Sequence, residues 1–204
     1  MNWFAKLFRP KPLNQSDRDF SDACNAFTTG KTIWNDAVLL KGSRESSLSK
    51  IKEALKFFDE AIEKGLIEPT VFSHGFDESE AFSLRGSCLD DLGFYFEALE
   101  DYNRAIGKNP RKAIAGNYFR RSMVKKSLFD FEGSLADLKE AIRLSKLDND
   151  DNKYWNNYAK STGYSSQTAF YEMSLPTEAE ISVKRAYPDK IIEEELKEIK
   201  RRKL

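Results

Sequence analysis

Three stretches of this sequence carry residue types that could do chemistry. Thr29-Gly30-Lys31-Thr32 has the order that closes a phosphate-binding loop, but the glycine required five residues before Gly30 is Asn25, and no apolar strand precedes it. Asp148, Asp150 and Asn152 reproduce the first three ligands of a calcium loop. Lys153 stands in place of the following glycine, and Ala159 in place of the closing bidentate glutamate. A solvated turn with a helix cap accounts better for that run. His74 is the only histidine and lies in a Ser-His-Gly linker, so no two-histidine metal site can form within one chain. Carboxylates are plentiful, yet on amphipathic helices they usually make wet faces, and nothing selects a pair for acid–base work. The expectation is no catalytic residue, no metal and no cofactor.

The elements that would position any site are helical. Of the 204 residues 40% are apolar, enough for a packed core in one domain or a short repeat array. Thirty-three basic and thirty-three acidic residues cancel, which leaves no overall attraction for nucleic acid or an anionic membrane. Aromatic residues make up 13% of the chain, but most fall at positions that a helical repeat would bury, so no nucleic-acid partner is expected. Cys24 and Cys88 sit among small and apolar neighbours, as reduced thiols do. No apolar run is long enough to span a bilayer, and the N-terminus lacks a signal-peptide cleavage site, which points to the cytoplasm.

Self-similarity organises the chain. From Ser79 to Lys112, small and bulky residues recur at the spacing of a helix-turn-helix unit: Phe82, Gly86, Leu89, Tyr95, Ala98, Tyr102, Ala105 and Pro110. Gly86 and Ala98 are small where two helices cross, and Phe82, Leu89 and Tyr102 fill the space around the crossing. Gly93 supplies the positive φ that ends the first helix, and Pro110 stops the second. Thirty-six residues later Tyr118, Arg121, Ser122, Phe131, Ser134, Leu138 and Ala141-Ile142 answer Phe82, Arg85, Gly86, Tyr95, Ala98, Tyr102 and Ala105-Ile106. Lys125 stands where Leu89 stands in the first unit. Ala54, Phe58 and Ala61-Ile62 repeat the spacing of a second helix at about 50–64, with a poorly matched first helix expected at about 32–41. With these residues the chain resembles the tetratricopeptide repeat family.

That resemblance implies an all-α fold: a short right-handed superhelical array of antiparallel helix pairs, closed by a C-terminal capping helix. The expected organisation is an N-terminal segment at 1–30, a repeat domain at 31–150 and a C-terminal helical cap at 151–204. The repeat domain has a degenerate unit at 31–67 and clear units at 79–112 and 115–148. Thr177 with Glu180 has capping-box spacing. In 189–204, Ile192, Leu196 and Ile199 share a face, and the acid-to-base charge order suits the helix dipole.

In this family the first helix of each pair lines the inner, concave face, where peptides or partner helices lie. The resemblance carries that role onto Glu80, Ser83, Ser87, Asp90 and Asp91 in one unit and Gly116, Phe119, Met123, Lys126 and Ser127 in the next. Phe119 and Met123 are expected to form an exposed apolar strip. Of the basic set with which some members grip a terminal carboxylate, only Arg120 has a counterpart, so no chaperone clamp is expected. The expected function is protein–protein interaction, as an adaptor and not an enzyme. An alternative comes from Trp3, Phe4, Leu7 and Phe8, an apolar helical face beside Lys6 and Arg9 ended by Pro10 and Pro12, which would tether a scaffold peripherally to the inner membrane surface. A third reading is a regulatory subunit of an enzyme.

Overall fold

The computed structural model describes residues 15–39, 43–65, 78–108, 115–147, 157, 159–176 and 189–202. Among these residues the fold is all-helical, with α1 Gln15–Leu39, α2 Arg44–Gly65, α3 Glu78–Asp91, α4 Tyr95–Lys108, α5 Ala115–Ser127, α6 Phe131–Leu147, α7 Gln167–Met173 and α8 Asp189–Arg201. The most extensive contacts join α1 to α2, α3 to α4 and α5 to α6; the next join α2 to α3 and α4 to α5, so each pair packs on the one before it. α7 packs on α6.

The pairs form because one helix lacks a side chain where the other crosses it. A methyl group at Gly86 would stand 3.3 Å from Asp101 Cβ and from Tyr102 Cε1, and 3.4 Å from the Ala98 carbonyl oxygen. Around the crossing Ala98 and Tyr102 are fully buried, and Phe58 and Ala54 are equally buried at the matching positions of α2. Gly30 plays the part of Gly86 in the first pair, where a methyl group would lie 3.0 Å from Phe58 Cε1 and 3.1 Å from Phe57 Cβ. The phosphate-loop order Thr29-Gly30-Lys31-Thr32 is therefore the middle of a long helix. The first helix of the degenerate unit spans Gln15–Leu39, not 32–41, and begins within the N-terminal segment expected to precede the repeat domain. The helix is longer because Ala23, Ala26 and Phe27, all buried, extend its packed stripe by two turns toward the N-terminus.

Three turns among the described residues close in the same way. Gly93, at φ +83°, donates from its N–H to the Asp90 carbonyl at 2.9 Å, and the Phe94 N–H donates to the Leu89 carbonyl at 2.8 Å. This double bond pattern caps a helix with one left-handed residue. After α5 it recurs with Phe129 N–H on Lys126 and Asp130 N–H on Lys125. It recurs again at Gly163, φ +91°, between a helical turn ending at 161 and α7, whose N-cap is Ser166. Gly163 thus joins a helical turn to α7 as in a short, partial fourth unit, although the seven residues of α7 lack the alanine and aromatic spacing of α4.

An arginine staples each clear pair. Arg85 donates to both Asp101 oxygens, Nε to Oδ2 and Nη2 to Oδ1 at 2.7 Å each, and its Nη1 reaches Asp59 Oδ1 on α2 at 3.0 Å. Arg121, thirty-six residues on, repeats the fork with Asp137 at 2.7 and 2.6 Å and reaches Asn103 Oδ1 on α4 at 2.9 Å. One guanidinium therefore holds its own pair together and ties it to the pair before. Planar two-point geometry is what arginine offers a carboxylate and lysine does not. Lys125 fits its normally apolar place because its ammonium joins the same carboxylate, 2.9 Å from Asp137 Oδ2.

Apolar residues form two clusters. The larger runs through α1–α5, and the smaller holds Ala115, Leu138, Ala141 and Tyr171 between α5, α6 and α7. Only the end of α8 enters the packing: Ile199 joins the larger cluster, Leu196 packs against it, and the Lys200 ammonium lies 5.6 Å from the Phe96 ring centroid. The Arg202 guanidinium lies beside Gly93. The C-terminal helix thus reaches the α3–α4 turn in the middle of the chain of pairs, while α7 covers part of α6, the position where an end cap was expected. Cys24 and Cys88 are free thiols on α1 and α3.

Two stability outcomes are expected. Ala98→Phe should destabilise by roughly 1–3 kcal/mol in denaturant unfolding, because the crossing has no room for a ring. Asp101→Ala, which strands a largely buried guanidinium, should cost about 3 kcal/mol, and Arg85→Lys should lose a substantial part of that because the fork is lost. An unchanged melting midpoint for Asp101→Ala would show that Asp59 alone satisfies Arg85.

Candidate functional site

The candidate partner-binding residues Ser83, Ser87, Asp90, Asp91, Phe119, Arg120, Met123 and Lys126 divide into two groups. The first is an internal polar network. Ser83 Oγ donates to Asn117 Oδ1 on α5 at 2.5 Å. Ser87 is 2% exposed; its hydroxyl donates to the Ser83 carbonyl at 2.9 Å and lies 3.1 Å from the hydroxyl of fully buried Tyr102. Ser83 is half-buried with its hydroxyl engaged by α5, and Ser87 is closed off against Tyr102 of α4.

Arg120 is the centre of this network. Its guanidinium lies 5.8 Å from the Trp34 ring centroid on α1, close enough for a cation–π contact. Burial works against its charge, but the Tyr102 hydroxyl and the Asp91 and Asp90 carboxylates outweigh that and hold it protonated. Burial pushes the Asp90 carboxyl up to about 6; Arg120 opposes the rise and Asp91 adds to it. Asp91 is raised for the same leading reason, with Arg120 opposing. The carboxylates at the end of α3 thus face a cation supplied by α5 over an indole supplied by α1, and the network ties three first helices together. The Trp34 indole nitrogen is buried without a hydrogen-bond partner among the described residues.

The second group is an open surface. Met123 is 40% exposed and Lys126 is exposed on the same side of α5. Phe119 does not join them in an exposed strip. Its ring stacks on Tyr171 with centroids 4.6 Å apart and planes 18° from parallel, and it lies 5.2 Å from Phe170, so α7 covers it. The physical reason is the short fourth unit, which brings two aromatic rings onto α5. Tyr171 is itself fully buried and accepts from Gln167 Nε2 at 2.6 Å.

Beside Met123 the surface opens into a cleft of about 260 Å³. It is lined by Leu135 and Leu138 of α6, by Met123, Phe129 and Phe131, and by Ser174 and Pro176 after α7. Its charged lining residues, Lys126, Asp130 and Glu132, are all exposed. Phe129 and Phe131 meet edge to face, centroids 6.1 Å apart at 83°. Phe129 has φ +63°, the only non-glycine residue in the left-handed region among those described. It occupies the turn position that Gly93 fills in the preceding pair, and holding a bulky residue there costs about 1 kcal/mol or more. The cleft's aromatic wall was missed in the sequence, although one signal was available: aligning the two units puts Phe129 opposite Gly93, where a side chain is a steric burden.

Trp3, Phe4, Leu7 and Phe8, together with His74, Asp148, Asp150 and Asn152, lie outside the described residues. Among the described residues no group of three His, Cys, Asp or Glu side chains is placed to hold a metal ion, and no helix is long and apolar enough to cross a membrane. Comparison with protein-family models, with curated proteins and with solved structures finds no match to the chain.

The raised carboxyl of Asp90 sets a pH signature. The folded state holds this proton more tightly than the unfolded chain does. Its stabilising effect is complete below about pH 4 and is lost as pH rises through about 6. Asp90→Asn, which mimics the protonated form, should melt close to wild type at about pH 4 and above it at about pH 7. A difference that stays flat across that range would mean the carboxyl is solvated normally.

Proposed function

We propose that this protein is a protein-interaction module of tetratricopeptide type, binding a peptide or partner helix through the first-helix side of its pairs and acting without catalysis. The repeated spacing of small residues, the repeated arginine staples and the recurrent turns support the repeat reading. Fold alone would leave the function open, since one scaffold serves many roles. The observation that carries the functional reading is the cleft beside α5 and its apolar collar. Met123, which lines it, is 40% exposed. An exposed methionine at an apolar recess makes an adaptable contact surface.

The inner polar network has a supporting part in this reading. Arg120, attracted by Asp90 and Asp91 of α3 and lying beside Trp34 of α1, links the three first helices, so a partner meets a preformed surface. Preorganisation of that kind lowers the entropy lost on binding.

The test is affinity capture from native extract, comparing wild type with a Met123→Ala, Lys126→Ala double variant. Both side chains are exposed, so the variant should keep the wild-type melting midpoint. A partner retained by wild type and reduced at least roughly tenfold by the variant is the expected result, the size of effect a central interface pair produces. No partner retained by either protein would overturn the reading.

A further inference from the structure

Within the proposed interaction reading, on which this step rests, the cleft has chemistry more specific than a general apolar surface. An apolar protein cavity of roughly 150 Å³ admits benzene. At about 260 Å³ this recess has room for an aromatic ring together with the backbone that carries it. Its walls suit a ring: the Phe129 and Phe131 pair offers faces and edges, and the Met123 thioether is the kind of soft partner that aromatic edges contact favourably. The lip on the α6 side is acidic, with exposed Asp130 and Glu132.

The backbone supplies an independent reason to regard the recess as a site. The preceding pair makes the same turn with Gly93, free of strain, and the unit after it does so with Gly163. Among the described residues, only at the cleft does the chain hold a phenylalanine in the left-handed conformation, so the ring is kept there against the local preference of the backbone.

We propose that the cleft is an aromatic-anchor site: it takes one aromatic side chain from an extended partner peptide, with a basic residue next to that ring set against the Asp130 side of the mouth. Phe129 is the recognition residue, Met123 and Phe131 complete the ring's surroundings, and the acidic lip selects the neighbouring charge.

Full-length protein labelled at the methionine methyl carbons tests this directly, because only three methionines are present and Met123 reports on the cleft. The probes are capped pentapeptides, Gly-Gly-Xaa-Lys-Gly, with Xaa as Phe, Trp, Leu or Ala, and a Phe peptide with Glu in place of Lys. The expected result is saturable movement of the Met123 signal, with Phe and Trp peptides binding roughly tenfold or more tighter than Ala and the Glu peptide weaker than its Lys counterpart. Phe129→Gly should melt no lower than wild type while losing roughly tenfold in affinity, and Met123→Ala, at an exposed position, should weaken binding without changing the fold. Equal affinity for Phe and Ala peptides, or undiminished binding by Phe129→Gly, would overturn the proposal. A partner captured through Met123 and Lys126 alongside unselective pentapeptides would overturn the aromatic anchor alone; capture failing as well would overturn the interaction reading with it.

Discussion

Two helices can approach closely only where one of them presents no side chain, and this requirement shapes the packed pairs. Gly86 lets α3 rest against Ala98 and Tyr102 of α4, and Gly30 does the same for α1 against Phe58. Ser122, fully buried, stands at the corresponding place in α5 and turns its hydroxyl back to the Phe119 carbonyl at 2.6 Å. Once the backbones are this near, a short carboxylate on the second helix comes within reach of an arginine on the first. The crossing comes first in this hierarchy, and the staples follow from it.

The staples then decide how pairs stack. Arg85 and Arg121 each spend two N–H groups on the partner helix and one on the helix before, so the same side chain that closes a pair also fixes its neighbour. Asp101 and Asp137 are only 3% and 6% exposed along their side chains, so each is a charge that the core tolerates because a guanidinium fork is waiting for it. The first pair has neither member. Phe57 stands at the Asp101 place and Thr29 at the Arg85 place, and longer helices with additional apolar contact compensate.

Polar and apolar surfaces on the first helices have separate tasks. Arg120 with Tyr102, half-buried Asp90 and exposed Asp91 joins α5 to α3 and α4, with Trp34 of α1 beside the guanidinium. The apolar recess lies farther along α5, where the α5–α6 turn and the chain after α7 leave space. A residue's place in the repeat therefore does not decide its task. Phe119 and Met123 are one turn apart on the same helix, yet one is covered by Tyr171 and the other is open.

The residue order by itself determined the helical class and the pairing of α3 with α4 and α5 with α6, because these rest on short-range spacing: a small residue at each crossing, a bulky apolar residue one turn on in the second helix and a turn residue between the helices. Gly30 illustrates the limit. Its neighbours spell a phosphate loop, and only contact with Phe57 and Phe58, on a helix far along the chain, shows it to be a crossing residue. Asp101 and Asp137 were equally hidden, since a carboxylate on an amphipathic helix looks solvated until the arginine opposite it is located. Tertiary structure alone decided that α7 covers Phe119, that α8 returns to the α3–α4 turn, and that a cleft opens beside Met123. Those outcomes depend on which surfaces meet across long stretches of chain, and surface complementarity between distant segments leaves no periodic mark in the sequence.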